Sequence, residues 1–132
     1  MSESLDSIGA ITLFIEDADR AKAFYAGVFD RAPVWEDENS AVFAFGKTVI
    51  NLLVTPEAPE LIAPAKVAGQ EDGARVMFSI WVDDANAVCA QLAARGVELL
   101  NGPIDRSWGK RTAAFADPDG HIWEIAQDIP PA

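Results

Sequence analysis

The sequence predicts an α+β domain of two βαβββ modules, and three observations carry that prediction. A pattern of strand, amphipathic helix and three short strands occurs twice in 132 residues, a length that suits one domain. The stretch FIED at 14–17 corresponds to WVDD at 81–84, an offset of 67 residues, and in both a strand ends at an aspartate placed to open a helix. Near its end the chain carries WGKRTAAFADPDGHIWEIAQ, 108–127, which reads as strand, tight turn, strand, and within it FADPDGHIWEIA at 115–126 answers FAFGKTVINLL at 43–53.

In the first module, 8–16 alternates as a strand, with Ile11, Leu13 and Ile15 on one face and Ala10, Thr12 and Phe14 on the other. Asp17 stands at the N-cap position, where its carboxylate can accept from a free backbone N–H. From 18 to 29 the period becomes helical, and Ala21, Phe24, Tyr25 and Val28 share a face. Short strands are expected at 33–37, 41–45 and 48–54, with turns at 36–40 and 46–47. Residues 55–73 carry Pro56, Pro59, Pro64, Gly69 and Gly73 and no sustained period. They read as a linker with one helical turn near 61–67, long enough to cover a site or to join two packed units.

The second module restarts with a strand at 75–82. Met77, Ser79 and Trp81 form one face, and Val76, Phe78, Ile80 and Val82 the other. Asp84 caps a helix that runs to Arg95; its apolar face holds Ala85, Val88, Cys89 and Leu92, and Gly96 ends it. A short strand is expected at 97–100, then a loop at 101–110 with Gly102, Pro103, Trp108 and Gly109. Strands at 111–116 and 121–127 close the chain. In the turn between them Pro118 fixes its own φ, Asp119 suits a bond to the local backbone, and Gly120 accepts a positive φ. The expected organisation is a single domain, 1–132, with module one at about 8–54, the linker at 55–73 and module two at about 74–127.

Half of the residues are hydrophobic, a globular composition. The formal net charge of −11 argues against nucleic acid and anionic membrane surfaces, which select basic patches. It permits a cationic ligand, but the plainer reading is an acidic chain with none. Cys89 is the one cysteine, so no intrachain disulfide is expected; in phase with Val88 and Leu92, it reads as a small core residue rather than a nucleophile. The start, MSESLDS, has no basic segment followed by an apolar run, and no apolar run reaches the length of a membrane span. A secretory signal is therefore not expected, and the expected compartment is a reducing cytoplasm.

The chemical anomaly is Glu124. The last strand alternates, with Ile122, Glu124 and Ala126 on one face and Trp123 and Ile125 on the other. A carboxylate in the middle of an apolar strand must be solvated, paired or protonated, because a lone buried charge costs too much.

The paired βαβββ pattern with its closing WGxRxxxFxDPDGHxWEI is similar to the vicinal-oxygen-chelate superfamily, the group of glyoxalase I, bleomycin-resistance proteins and extradiol dioxygenases. The resemblance covers about 8–127. It implies sheets that form an open barrel or cleft with helices outside, and a homodimer, in some members with modules exchanged. It also implies where metal-dependent members carry ligands, namely on the first and last strand of each module. Carried over, these positions fall on Ala10, Asn51, Met77 and Glu124. Ala10 has no donor atom, and the Met77 thioether is too soft for hard or borderline divalent ions. His121 is the one histidine, so a two-histidine, one-carboxylate iron site cannot be built from one chain. A symmetric dimer with one site per chain still brings one histidine to each site. Dioxygenase chemistry is not expected. No cofactor is expected, with a divalent metal as the lesser alternative.

If the family geometry holds, Thr12, Phe14, Met77 and Trp81 line the cleft with Asn51 and Glu124, a mostly apolar pocket with a few polar groups. The plainer alternative is that these side chains fill the barrel. Glu124 either meets a ligand or acts as a base, or it is a vestige satisfied by water, Asn51 or Arg111. His121 most simply makes a local hydrogen bond at its turn. Trp108 and Trp35 stand beside loops, where an aromatic can lid a cleft or bury in a dimer contact. Arg111 can pair with Glu124, meet an anionic ligand or stay at the surface. The run Glu36-Asp37-Glu38 reads as a solvated turn.

Three functions follow from these residues and the resemblance. The first is metal-independent binding or sequestration of a small organic ligand, antibiotic-like and cationic in one version, in an aromatic cleft. The second is a lyase or isomerase with Glu124 as base or metal ligand; it needs an electrophile, for which Arg111 is the candidate on the chain. The third is a non-catalytic fold with a filled cleft. The expected partners are a small molecule and a second copy of the chain, with no nucleic acid and no membrane.

Overall fold

The computed structural model describes residues 4–130. The chain divides into two compact units, which meet in sequence between Val67 and Ala68. The N-terminal unit contains β1 (Ala10–Ile15), α1 (Ala18–Val28), β2 (Trp35–Glu36), β3 (Ser40–Phe45) and β4 (Thr48–Val54). Its sheet runs in the order β1-β4-β3-β2, with β1 parallel to β4 and the other pairs antiparallel. Asp17 caps α1 by accepting from the Arg20 N–H at 3.0 Å. The helix buries Ala18, Ala21, Tyr25 and Val28, and the sheet buries Leu13, Ile15, Phe43, Ile50 and Leu52. Tyr25 stacks on Phe29, with ring centroids 5.7 Å apart, and meets Phe43 at 6.0 Å. Each large apolar side chain removed from water in this way contributes about 1.5–3 kcal/mol.

The segment after β4 is more structured than a linker. A 3₁₀ turn at Thr55–Glu57 leads into α2 (Ala58–Ile62), and a second 3₁₀ turn lies at Gln70–Asp72. The helical turn expected near 61–67 therefore comes earlier. Pro59 sits in the first turn, where a proline needs no N–H partner, and Ala63 is extended because Pro64 follows it.

The C-terminal unit contains β5 (Met77–Trp81), α3 (Ala85–Ala94), β6 (Leu99–Arg106), β7 (Lys110–Ala116) and β8 (Ile122–Asp128). Its order, β5-β8-β7-β6 with β5 parallel to β8, repeats that of the N-terminal sheet. The predicted fold class, α+β with paired βαβββ modules, is the observed one. Asp84 caps α3 by accepting from the Ala87 N–H at 3.0 Å, and the Gln127 side chain accepts from the Ala85 N–H at 2.7 Å. Ala113, Phe115, Trp123, Ile125, Cys89 and Leu92 form the core, and Phe78 packs on Trp123 at 5.0 Å.

The loop expected at 101–110 is largely strand. Residues 101–106 continue β6, with register shifts between Leu99 and Asn101 and between Asn101 and Ile104. Turn-forming residues here make bulges on an edge strand, where Pro103 needs no ladder partner. Gly102 has φ +90°, and a Cβ there would stand 2.3 Å from the Thr112 carbonyl oxygen, so only glycine fits. Among the described residues no helix is long and apolar enough to cross a membrane.

Candidate functional site

Strand alternation gives each sheet two faces, one packed on its helix and one turned away from it. In the C-terminal unit the second face carries Met77, Ser79 and Trp81 from β5 and Ile122, Glu124, Ala126 and Asp128 from β8. Lys110, Thr112 and Ala114 continue it on β7, and Asn101, Ile104 and Arg106 on β6. Register places Ser79, Glu124, Ala114 and Asn101 on one rung, and Trp81, Ala126, Thr112 and Ile104 on the next.

Glu124 is half-buried, and its Oε1 accepts from the Ser79 hydroxyl at 2.8 Å. Its partner is thus Ser79, where Asn51, Arg111 or water was expected. Apolar groups lie open beside this pair. Met77 is 50% exposed and Trp81 72%. Trp81 walls a recess of about 350 Å³ shared with Val82, Lys110, Ala126 and Asp128. The Lys110 ammonium lies 5.2 Å from the Trp81 ring centroid and pairs with Asp128. Farther along the sheet, Arg106 Nε donates to Thr112 Oγ1 at 3.0 Å, and its Nη2 donates to Asn101 Oδ1 at 3.3 Å.

Arg111 belongs to the opposite face. It is in register with Gln127 and Asp105, and its guanidinium forks onto the Asp105 carboxylate at 2.6 and 3.2 Å. That hydrogen bond and charge hold the Asp105 carboxyl below the usual range and the guanidinium above its own. The expectation that Arg111 meets Glu124 is therefore corrected. The cations on the Glu124 face are Arg106 and Lys110.

The N-terminal unit has the corresponding face. Thr12, Asn51, Val42 and Trp35 form one rung, and Phe14, Leu53 and Ser40 the next. The Asn51 side-chain amide donates to Thr12 Oγ1 at 3.3 Å. Phe14 is half-buried and Trp35 exposed. Trp108 stands exposed in the turn between β6 and β7.

His121 makes the local bond expected of it. Its Nδ1 lies 2.8 Å from Asp117 Oδ2, and Asp117 Oδ1 accepts from the Asp119 and His121 N–H groups, both at 2.9 Å. The buried Asp117, rather than Asp119, thus organises the turn, and Gly120 has φ +92° as its position requires. Burial opposes a charge on His121, but the hydrogen bond and charge of Asp117, aided by Asp119, outweigh it and raise the imidazole pKa above its ordinary value. The Glu36-Asp37-Glu38 run is exposed, but it is not simply a solvated turn: Glu36 ends β2 and pairs with Lys22 at 3.3 Å, and Asp37 Oδ1 accepts from the Asn39 N–H at 2.9 Å and the Ser40 hydroxyl at 2.8 Å.

The donor inventory does not suit a divalent ion. Of the four positions that the resemblance marks, Ala10 has no donor atom, Asn51 is a neutral amide turned to Thr12, Met77 offers a thioether, and Glu124 is the one charged oxygen ligand. Among the described residues no three His, Cys, Asp or Glu side chains gather where they could hold a metal ion.

Ser79, Lys110, Arg106 and Asp128 were not singled out from sequence. Ser79 stood on the named face but carries no anomaly. Lys110 and Arg106 fell in the expected loop, and Asp128 one residue past the expected end of its strand.

These sheets, pairings and strand orders define a βαβββ-repeat protein, and the chain belongs to the Glyoxalase/Bleomycin resistance protein/Dioxygenase superfamily, whose model matches residues 7–125. It is 28% identical over 123 residues to the metallothiol transferase FosB of Shouchella clausii (strain KSM-K16), covering 92% of this chain and 80% of that protein. A glyoxalase/bleomycin resistance protein/dioxygenase from Nocardioides matches with a TM-score of 0.86 at 21% identity, over 99% of this chain and 89% of the other. TnmS3, an antibiotic binding protein from Streptomyces sp. CB03234, matches with a TM-score of 0.71 at 22% identity, over 96% and 99%. The last two likenesses are of fold.

Proposed function

We propose that this chain binds a small organic molecule on the Glu124 face of its C-terminal unit, and that it does so without a metal ion. The observation that carries the reading is the Glu124–Ser79 pair on a sheet face where Trp81 and Met77 stand exposed. An oriented carboxylate among open apolar and aromatic groups gives a ligand both area and direction. The family includes bleomycin-resistance proteins, and the similar fold of TnmS3 serves antibiotic binding in that protein, which supports a sequestering role here. The donor set favours a metal-free site. Titration followed by tryptophan fluorescence tests the reading: a ligand should change the emission and remain chemically intact, and Trp81→Leu and Glu124→Gln should each weaken it. Binding indifferent to both substitutions contradicts the reading.

A second reading, a lyase or isomerase with Glu124 as base, draws on one observation. Arg106 lies on the Glu124 face and its guanidinium bonds Asn101 on the Glu124 rung, so this face carries a cation of the kind that a developing oxyanion requires. Turnover without added metal that disappears in both Glu124→Gln and Arg106→Met would favour it.

A further inference from the structure

Resting on that reading, we infer that the recess beside Trp81 is a subsite for a substituted ammonium group, and that the Lys110 ammonium, on the wall of the recess, competes for the Trp81 ring and the Asp128 carboxylate. Three features of the recess select a cation. Trp81 is exposed, 72% as a residue, and presents an indole ring to the recess. Asp128 supplies a carboxylate, and Ala126 supplies a floor with no side chain beyond Cβ. An aromatic ring attracts a quaternary ammonium group through its face, and a nearby carboxylate adds an opposite charge. In this structure the chain meets that demand itself, with the Lys110 ammonium 5.2 Å from the ring centroid and paired to Asp128.

The Lys110 ammonium is a displaceable competitor. Its stem is flexible, its partner Asp128 has a side chain 86% exposed, and an ion pair so open to water contributes little. Displaced, the ammonium regains full hydration. A quaternary ammonium gives up less hydration on entering and gains the ring face. The other charged groups on this sheet face are engaged elsewhere. Arg106, in register with Lys110, is turned to Thr112 and Asn101, and Glu124 accepts from Ser79. The net charge of −11 draws cations toward the molecule.

Choline and its neutral isostere 3,3-dimethylbutan-1-ol provide the test, titrated into the ¹⁵N-labelled protein with the Trp81 indole N–H as reporter. Choline should move that signal, and the isostere should bind about tenfold more weakly. Lys110→Met removes the internal competitor and should tighten choline binding by about fivefold. Lys47→Met makes the same charge change in the other unit and should leave it nearly unaltered. Trp81→Leu, read from the Lys110 and Ala126 backbone amides, should lose about tenfold. Equal binding of choline and the isostere overturns the inference, as does a Lys110→Met protein no tighter than Lys47→Met. An antibiotic or metabolite whose binding weakens in Glu124→Gln and Trp81→Leu but is unchanged by Lys110→Met also overturns it and leaves the proposed function standing. Choline binding of the predicted pattern, with no larger compound needing Glu124, retains the subsite and sinks the broader reading.

Discussion

The two units share a frame and differ in what they place on it. Each puts a first-strand hydroxyl beside a polar residue on the same rung of its last strand, Thr12 with Asn51 and Ser79 with Glu124. In the N-terminal unit the pair is neutral, and the next rung carries half-buried Phe14 and Leu53. In the C-terminal unit the pair is charged, and the next rung carries exposed Trp81 and small Ala126. The strand order and register are held by core packing on the other face, so the residues of this rung are free to diverge. Of the two equivalent positions, the C-terminal one carries the carboxylate and the exposed indole.

The largest effects test whether the frames are equivalent. Phe43 and Phe115 are each fully buried on the helix side of their sheets. Phe43→Ala and Phe115→Ala should each cost about 3–5 kcal/mol in denaturant unfolding. A small loss at one of them breaks the equivalence. Gly102→Ala should cost about 2–3 kcal/mol, because the added Cβ meets the β7 backbone at a positive φ. The N-terminal counterpart of β6 is the two-residue β2, which has no such glycine, so this cost marks a difference between the units.

Asn51→Asp sharpens the comparison by placing the charged pair in the wrong unit. The Thr12 hydroxyl can turn to donate, as Ser79 does, so the change should cost less than about 1 kcal/mol by the same measurement. A loss of several kcal/mol would mean that the neutral pair is required by its surroundings.

The smallest effect concerns His121, whose ring is held by Asp117 in the C-terminal turn alone. Its pKa is raised on folding. The stability it adds is therefore full below its unfolded pKa, near 6.5, and is lost as pH rises through the higher folded value. The wild-type protein should lose stability across that window, and His121→Gln should flatten the profile. A profile unchanged by the substitution contradicts the pairing.

Most of the fold was legible because period is a strong signal. The burial of Leu13 and Ile15 on β1, the caps Asp17 and Asp84, and the Asp117–Gly120 turn follow from alternation, capping and turn chemistry. The continuation of β6 was not legible, since Asn101-Gly102-Pro103 is as suitable for a loop as for a bulged edge strand. The site was legible in part. Alternation put Met77, Trp81 and Glu124 on faces, but cross-strand register is not written in any one strand. A shift of one residue moves Arg111 from the Glu124 face to the Asp105 face. Lys110 and Asp128 lie at the strand ends, one residue beyond the limits that alternation marks, so the recess beside Trp81 is not legible in the sequence.

The most direct test of the central claim is a thermal-shift screen of antibiotics and metabolites, run with EDTA and again with added divalent ions. A ligand present at a hundred times its Kd stabilises by about 2.7 kcal/mol, which raises the midpoint by roughly 10 °C in a chain of this size. The prediction is a compound that gives the same rise in EDTA and in metal, and a much smaller rise in Glu124→Gln. A rise that needs the divalent ion and vanishes in EDTA would contradict it.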